Sequence, residues 1–145
     1  MISRKMTPSA VPQVAAIEAQ CFSLPWSEQG FLDSIAREDT IFMVTELDTK
    51  IAGYIGMYTS YGEGEITNVA VSNEYRKQGI GNALVEAMKS AGKENQLESI
   101  LLEVRVSNER ALSLYKRNGF KELGIRKNFY EQPTEDAIIM SCEIS

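Results

Sequence analysis

Arg76-Lys77-Gln78-Gly79-Ile80-Gly81 is the stretch on which the fold turns, because it lies between the apolar run Ile66 to Val71 and a helix-like segment starting near Asn82. The order is strand, glycine turn, helix. Such a junction gathers free backbone N–H groups at the positive end of a helix dipole, and glycine lets a ligand approach without meeting a Cβ. It is either a seat for phosphate or pyrophosphate or a tight turn that needs glycine for its backbone alone. The motif lacks the Gly-Lys-Ser or Gly-Lys-Thr ending of a nucleoside-triphosphate loop. Leu84 stands where a dinucleotide fingerprint carries its third glycine, and the preceding strand lies mid-chain behind a hairpin.

On the N-terminal side, Ile2 to Lys5 reads as a short edge strand and Thr7-Pro8-Ser9 as a helix start. Val11, Val14, Ile17 and Cys21 recur at helical spacing, with Pro12 in the first turn, where its missing donor costs little. Phe22 to Trp26 break that helix, and Ser27 caps a second one with Phe31, Leu32 and Ile35 on its apolar face. Trp26 is then either a plug between two helices or a wall for an incoming substrate. Ile41 to Leu47 and Ile51 to Tyr58 form a hairpin around Asp48-Thr49-Lys50, and after the turn Tyr61 to Gly64 the strand Glu65 to Val71 enters the glycine motif.

On the C-terminal side, Ala83, Leu84, Ala87, Met88 and Ala91 give the next helix its apolar face, ended by Gly92 to Gln96. Ser99 to Val104, centred on Ile100-Leu101-Leu102, reads as a strand buried on both faces, in which Glu103 is an unusual charge. Asn108 caps a short helix carrying Ala111, Leu112 and Tyr115, which stops at Asn118-Gly119. Phe120 to Tyr130 and Asp136 to Glu143 form two last strands around Glu131-Gln132-Pro133-Thr134. The expected class is α/β (α+β): one domain over residues 1–145, a mixed sheet with parallel pairing in the middle and hairpins at each end, and helices on both faces.

At 145 residues, 43% hydrophobic and 24% charged, the chain has the size and balance of one domain with a complete core. No apolar run approaches the ~20 residues that span a bilayer, and Met1 to Lys5 lacks the apolar centre of a signal peptide, so no membrane association and a cytoplasmic location are expected. Cys21 and Cys142 have no histidine company and read as buried free thiols, not as a disulfide or a metal site. A net charge of −5 argues against nucleic acid and suits a basic peptide or amine. The absence of histidine leaves proton transfer to carboxylate, tyrosine, lysine or cysteine.

Arg76-x-x-Gly79-x-Gly81 after Asn68-Val69-Ala70-Val71 resembles the acetyl-CoA signature of the Gcn5-related N-acetyltransferases, the GNAT enzymes. Leu102-Glu103-Val104-Arg105-x-x-Asn108 and Ala111-Leu112-x-Leu114-Tyr115-x-x-x-Gly119-Phe120 continue the same pattern, which covers nearly the whole chain. Pro25-Trp26-Ser27, Arg126 to Tyr130 and Glu135 to Met140 are similar to the bacterial ribosomal-protein-alanine N-acetyltransferases. The resemblance implies a mostly antiparallel sheet splayed between its fourth and fifth strands, with acetyl-CoA in the V and no metal. Backbone N–H groups of Gln78, Gly79, Ile80, Gly81 and Asn82 would hold the pyrophosphate beside Arg76 and Lys77. Val69, Ala70 and Val71 would line the pantetheine arm, the Val71 N–H would polarise the thioester carbonyl, and Asn108 would reach the cofactor from the other side.

Aminolysis of a thioester needs a neutral amine, a polarised carbonyl and a proton for the departing thiolate. Glu103, with apolar flanks, is the candidate base and Tyr115 the candidate acid, the roles that the family pattern also implies. Glu65 is a rival base on the preceding strand, Glu103 could instead pair with Arg105, and Tyr115 could be only a core aromatic. The implied acceptor is the N-terminal alanine of a small-subunit ribosomal protein, entering past Trp26, Tyr130 and Asp136; the alternatives are an acetyltransferase for a small amine or a lysine side chain, or a module that binds coenzyme A without turnover. Phe129 departs from the pattern, which commonly has a second tyrosine there. A monomer is expected.

Overall fold

The computed structural model describes residues 1–131 and 133–145; the expected turn from Glu131 to Thr134 includes Gln132, which lies outside the described residues. In chain order the elements are β1 (Ile2–Lys5), α1 (Val11–Cys21), α2 (Glu28–Ile35), β2 (Thr40–Leu47), β3 (Lys50–Ser60) and β4 (Glu63–Val71). Then follow α3 (Ile80–Glu94), β5 (Ser99–Arg105), α4 (Glu109–Arg117), β6 (Lys121–Tyr130) and β7 (Glu135–Glu143). The strands form one sheet in the order β1-β2-β3-β4-β5-β7-β6. Among the described residues only the β4–β5 pair is parallel, as the strand-helix alternation there predicts.

Two hairpins close through two-residue turns with positive φ at both positions, Asp48 (52°) with Thr49 (68°) and Tyr61 (48°) with Gly62 (81°). These turns match the right-handed twist of the flanking strands. At the other end β7, not β6, lies beside β5. The reason is written in their compositions: Ala137, Ile138, Met140 and Cys142 of β7 are buried, whereas β6 is exposed from Lys121 through Phe129. An apolar strand takes the interior position and a charged one takes the edge.

Helices cover both faces, but unequally. On one face α3 and α4 pack over Ile55, Met57, Ile100, Leu102, Val104 and Met140. On the other, α1 and α2 cover Phe42, Val44, Tyr54 and Ala70, which are confined to β2, β3 and β4. That uneven cover corrects the expectation for β5. Its burial alternates, with Ile100, Leu102 and Val104 inside and Leu101 and Glu103 only partly covered. The core face of α3 also differs from expectation: Ile80, Leu84, Val85, Met88 and Gly92 are buried, while Ala83, Ala87 and Ala91 sit at its margins. The larger side chains take the centre of the stripe, where each removes more apolar area from water. Cys142 is buried as expected, but Cys21 is only half-buried.

Gly53 sits where β3, β4 and α3 meet: a Cβ there would lie 2.8 Å from the Ala70 carbonyl oxygen and 3.0 Å from Ile80 Cγ2. Backbone cannot yield as a flexible side chain does, so this contact holds β4 close to α3. Gly53→Ala is expected to destabilise the protein by roughly 1–3 kcal/mol, the usual cost of overpacking, read as a lower denaturant midpoint with unchanged slope.

Candidate active site

β4 and β5 pair only through Glu63, Gly64 and Glu65 against Ser99, Ile100 and Leu101. Beyond these residues the strands part. The β3–β4 register shifts between Gly56 and Met57, which leaves Thr67 as an extra residue in β4 just past the last β5 contact. A bulge increases twist and bends its strand, and here it falls where the ladder ends. The Ser72 N–H donates to the Ala52 carbonyl at 2.8 Å, so its side of β4 faces β3. Antiparallel alternation then turns the N–H and C=O groups of Val69 and Val71 the other way, into the gap.

The glycine motif forms one wall of that gap. Gly79 is the N-cap of α3 with φ of 81°; no side chain caps the helix and no acidic residue occupies its first turn. The orphan N–H groups are thus left for a ligand. A Cβ at Gly79 would meet nothing within 4 Å, whereas one at Gly81 would stand 3.2 Å from Leu114 Cδ2, so Gly79 keeps the cradle open and Gly81 lets α4 approach α3. Lys77 also has positive φ, at 62°.

Between these walls lies a cleft of about 600 Å³ lined by Val69, Ala70, Val71, Arg76, Lys77, Gly79, Ile80, Gly81, Asn82, Asn108 and Tyr115. All were expected there from the sequence; Gln78, also expected, is not on the lining. Cys21, Arg110 and Arg117 join them. The Cys21 thiol donates to the Val71 carbonyl at 3.5 Å. Asn108 Oδ1 accepts from the Ala111 N–H at 3.1 Å and so caps α4, a bond that does not use its Nδ2. The volume is that of a small-molecule site. Its free helix N–H groups, cationic rim and unpaired strand edge suit an anionic ligand with an extended amide-bearing arm.

Glu103 lies two residues beyond Leu101, the last β5 residue paired with β4, hence roughly 6.6 Å past the fork at ~3.3 Å per residue. Alternation places it on the face opposite Leu102 and Val104, which pack in the same cluster as Tyr115. Its side chain is only 12% exposed and its Oε1 lies 3.2 Å from Arg126 Nη1. Oε2 is buried with no hydrogen-bond partner among the described residues. Arg105 is engaged elsewhere: it pairs with Glu135 at 3.2 Å, donates to the carbonyls of Pro133 and Glu131, and stacks over the Tyr130 ring at 4.3 Å.

Tyr115 packs edge-on against Phe120 with ring centroids 5.7 Å apart. Burial pushes its phenol up to about 12, helped by the nearby Tyr130. Burial also raises Tyr130, as do the Glu103 and Glu135 carboxylates, while Arg105 lowers it. Glu65 is exposed within the part of β4 still paired to β5.

Trp26 joins an aromatic group with Phe31 (5.3 Å) and Phe42 (6.4 Å), and is partly buried, as a plug would be. Asp136 Oδ1 accepts from the Asn128 N–H at 2.9 Å, giving it an internal partner within the β6–β7 ribbon. Sequence reasoning missed Glu18, which is 2% exposed, accepts from the Tyr54 hydroxyl, and accepts from the Trp26 N–H at 3.1 Å. A signal was present: Glu18 falls four residues after Val14, on the apolar stripe of α1. Cys21 and Arg126 were also not singled out for the site.

Among the described residues no group of three or more His, Cys, Asp or Glu could hold a metal ion, and no helix is long and apolar enough to cross a membrane.

The acetyltransferase (GNAT) family model matches residues 11–120. An Escherichia coli (strain K12) ribosomal protein bS18-alanine N-acetyltransferase is 35% identical over 139 residues, which are 93% of this chain and 92% of that protein. A Bacillus subtilis (strain 168) relative is 38% identical over 138 residues, covering 94% and 91% of the two chains. The crystal structure of the ribosomal-protein-S18-alanine N-acetyltransferase from Escherichia coli matches with a TM-score of 0.89 at 32% identity, over 99% of this chain and 94% of that one. The expected open mixed sheet, parted between its fourth and fifth strands, is the one present, and the chain belongs to the GNAT family of acetyltransferases.

Proposed function

We propose that this chain transfers an acetyl group from acetyl-CoA to the N-terminal alanine of the small-subunit ribosomal protein bS18, acting as one domain in the cytoplasm. The observation that carries this reading is its near full-length relationship to the Escherichia coli enzyme of that activity. Acetyl-CoA supplies an acetyl group already activated as a thioester.

The chain's own residues then have these tasks. Backbone N–H groups from Gly79 to Asn82 would hold the pyrophosphate with Arg76 and Lys77, and the outward backbone of Val69 and the Val71 N–H would pair with the extended arm. The Val71 N–H donates to the thioester carbonyl, and Asn108 contacts the donor from α4. An α-ammonium has a pKa of ~8, so at neutral pH part of the amine is already neutral and a weak base need only carry away the proton released on attack. Glu103 is that carboxylate. As the amine nitrogen bonds to the carbonyl carbon and the C–S bond breaks, the Tyr115 phenol would give its proton to the sulfur, and the phenolate left behind would take one back from solvent. A phenol pushed up to about 12 stays protonated until it is needed.

The acceptor peptide enters over the uncovered face of β5, β7 and β6, past Tyr130, with Trp26 and Asp136 at its borders. The net charge of −5 favours a basic peptide.

A peptide beginning with alanine should be acetylated, and the same peptide with a blocked terminus should not; mass spectrometry locates the added acetyl. Acetylation of an internal lysine in the blocked peptide instead would replace this reading with a side-chain acetyltransferase. Glu103→Gln should lower kcat about 100-fold, within the usual range for losing a general base. Tyr115 gives a separate pH test. Below pH 10 its phenol is protonated in both the folded and unfolded chain, so its burial costs nothing there. Between pH 10 and about 12 the unfolded chain ionises while the folded chain does not, so stability falls with rising pH. Tyr115→Phe should lose less stability across that window, measured as the denaturant midpoint against pH.

A further inference from the structure

We infer that Arg126 is the positioning residue for Glu103, fixing the carboxylate through Oε1 so that Oε2 remains the oxygen that accepts the acceptor's proton. This inference rests on the reading of Glu103 as base.

The geometry begins with strand register. Glu103 stands opposite Ile139 of β7, and Ile139 stands opposite Gly124 of β6. Arg126, opposite Ala137, is two residues along β6 from Gly124 and shares its face of the sheet. Glu103 and Arg126 are therefore separated by the whole width of β7, roughly 9.6 Å at ~4.8 Å per strand. Arg126 nevertheless reaches back across β7 and brings Nη1 3.2 Å from Glu103 Oε1.

The arginine is itself held. Between the pairs Arg126–Ala137 and Tyr130–Glu135, the residues Lys127, Asn128 and Phe129 face Asp136 alone, so β6 bulges outward. Asn128 takes φ of 52° and its N–H is held by the Asp136 carboxylate at 2.9 Å. That excursion sets the Phe129 ring 5.0 Å from the Arg126 guanidinium, a cation–π distance. The guanidinium is thereby fixed between an aromatic face and a carboxylate.

The pair is unequal. Arg126 is 55% exposed and Glu103 only 12%, so the cation caps the outward oxygen while Oε2 points inward without a partner among the described residues. A buried carboxylate with one oxygen tethered and the other unpaired is pre-aimed, since a lone pair without an internal bond is ready to accept. In the reaction the amine's proton passes to Oε2, the new C–N bond replaces the C–S bond, and the proton leaves Glu103 to solvent after product release. Arg126 touches neither reactant.

The test is a double-mutant cycle on the full chain, with acetyl-CoA and the alanine peptide. Arg126→Met should lower kcat about fivefold with KM for acetyl-CoA unchanged, as expected for a group acting on the chemical step through another residue. Arg126→Lys should recover most of the loss. In a Glu103→Gln background neither substitution should lower the rate further. Full kcat in Arg126→Met, or the same factor lost in the Glu103→Gln background, would overturn the inference. If Glu103→Gln itself leaves kcat unchanged, the base assignment fails and this inference falls with it. If Glu103→Gln is crippled while Arg126→Met is silent, only the inference about Arg126 fails.

Discussion

A sheet that stops pairing in its middle is the constraint on which this structure depends. Backbone N–H and C=O groups are seldom left without partners, yet Val69 and Val71 turn theirs into a gap where β5 has moved away. The unmet edge is tolerable because it faces a cleft where a ligand with its own amides can complete the ladder. Everything nearby maintains the parting. The extra residue Thr67 bends β4, the close approach of Gly53 to the Ala70 carbonyl keeps β4 against β3 and α3, and the fully buried Leu84 and Met88 anchor α3 behind it.

The same parting lets two chemistries meet that the sheet would otherwise separate. Tyr115 belongs to the cluster under α3 and α4, and Glu103 to the opposite face. An intact sheet would keep the two side chains apart. Tyr115 is almost wholly buried, which pushes its phenol up to about 12, whereas Glu103 stands at the other, partly covered face beside Arg126.

Much of this was legible in the sequence, and the divisions follow physical range. Glycine turns, caps and periodicity are local, so the strand-glycine-helix junction, the Asn108 cap and the terminus at Gly119 emerged where expected. Most of the residues expected to line a cleft do so because they lie within one contiguous stretch. What the sequence concealed is set across strands. No local pattern shows that β7 inserts between β5 and β6, so Arg126, more than twenty residues from Glu103, could be taken only as part of a solvated strand. Arg105, two residues away, was the natural partner for Glu103, and the structure engages it with Glu135 and Tyr130 instead. Glu18 was hidden for the converse reason: a single glutamate on an amphipathic helix reads as surface, and only the Tyr54 hydroxyl across the core gives it a buried role.

The exposed edge strand β6 has a wider consequence. Its residues from Lys121 through Phe129 bury nothing in either hydrophobic cluster, so folding places few demands on them. The donor cleft, by contrast, is built from elements whose other sides are core. Substitutions in β6 therefore disturb the core less than substitutions in the cleft walls, and the two can vary with unequal cost to stability.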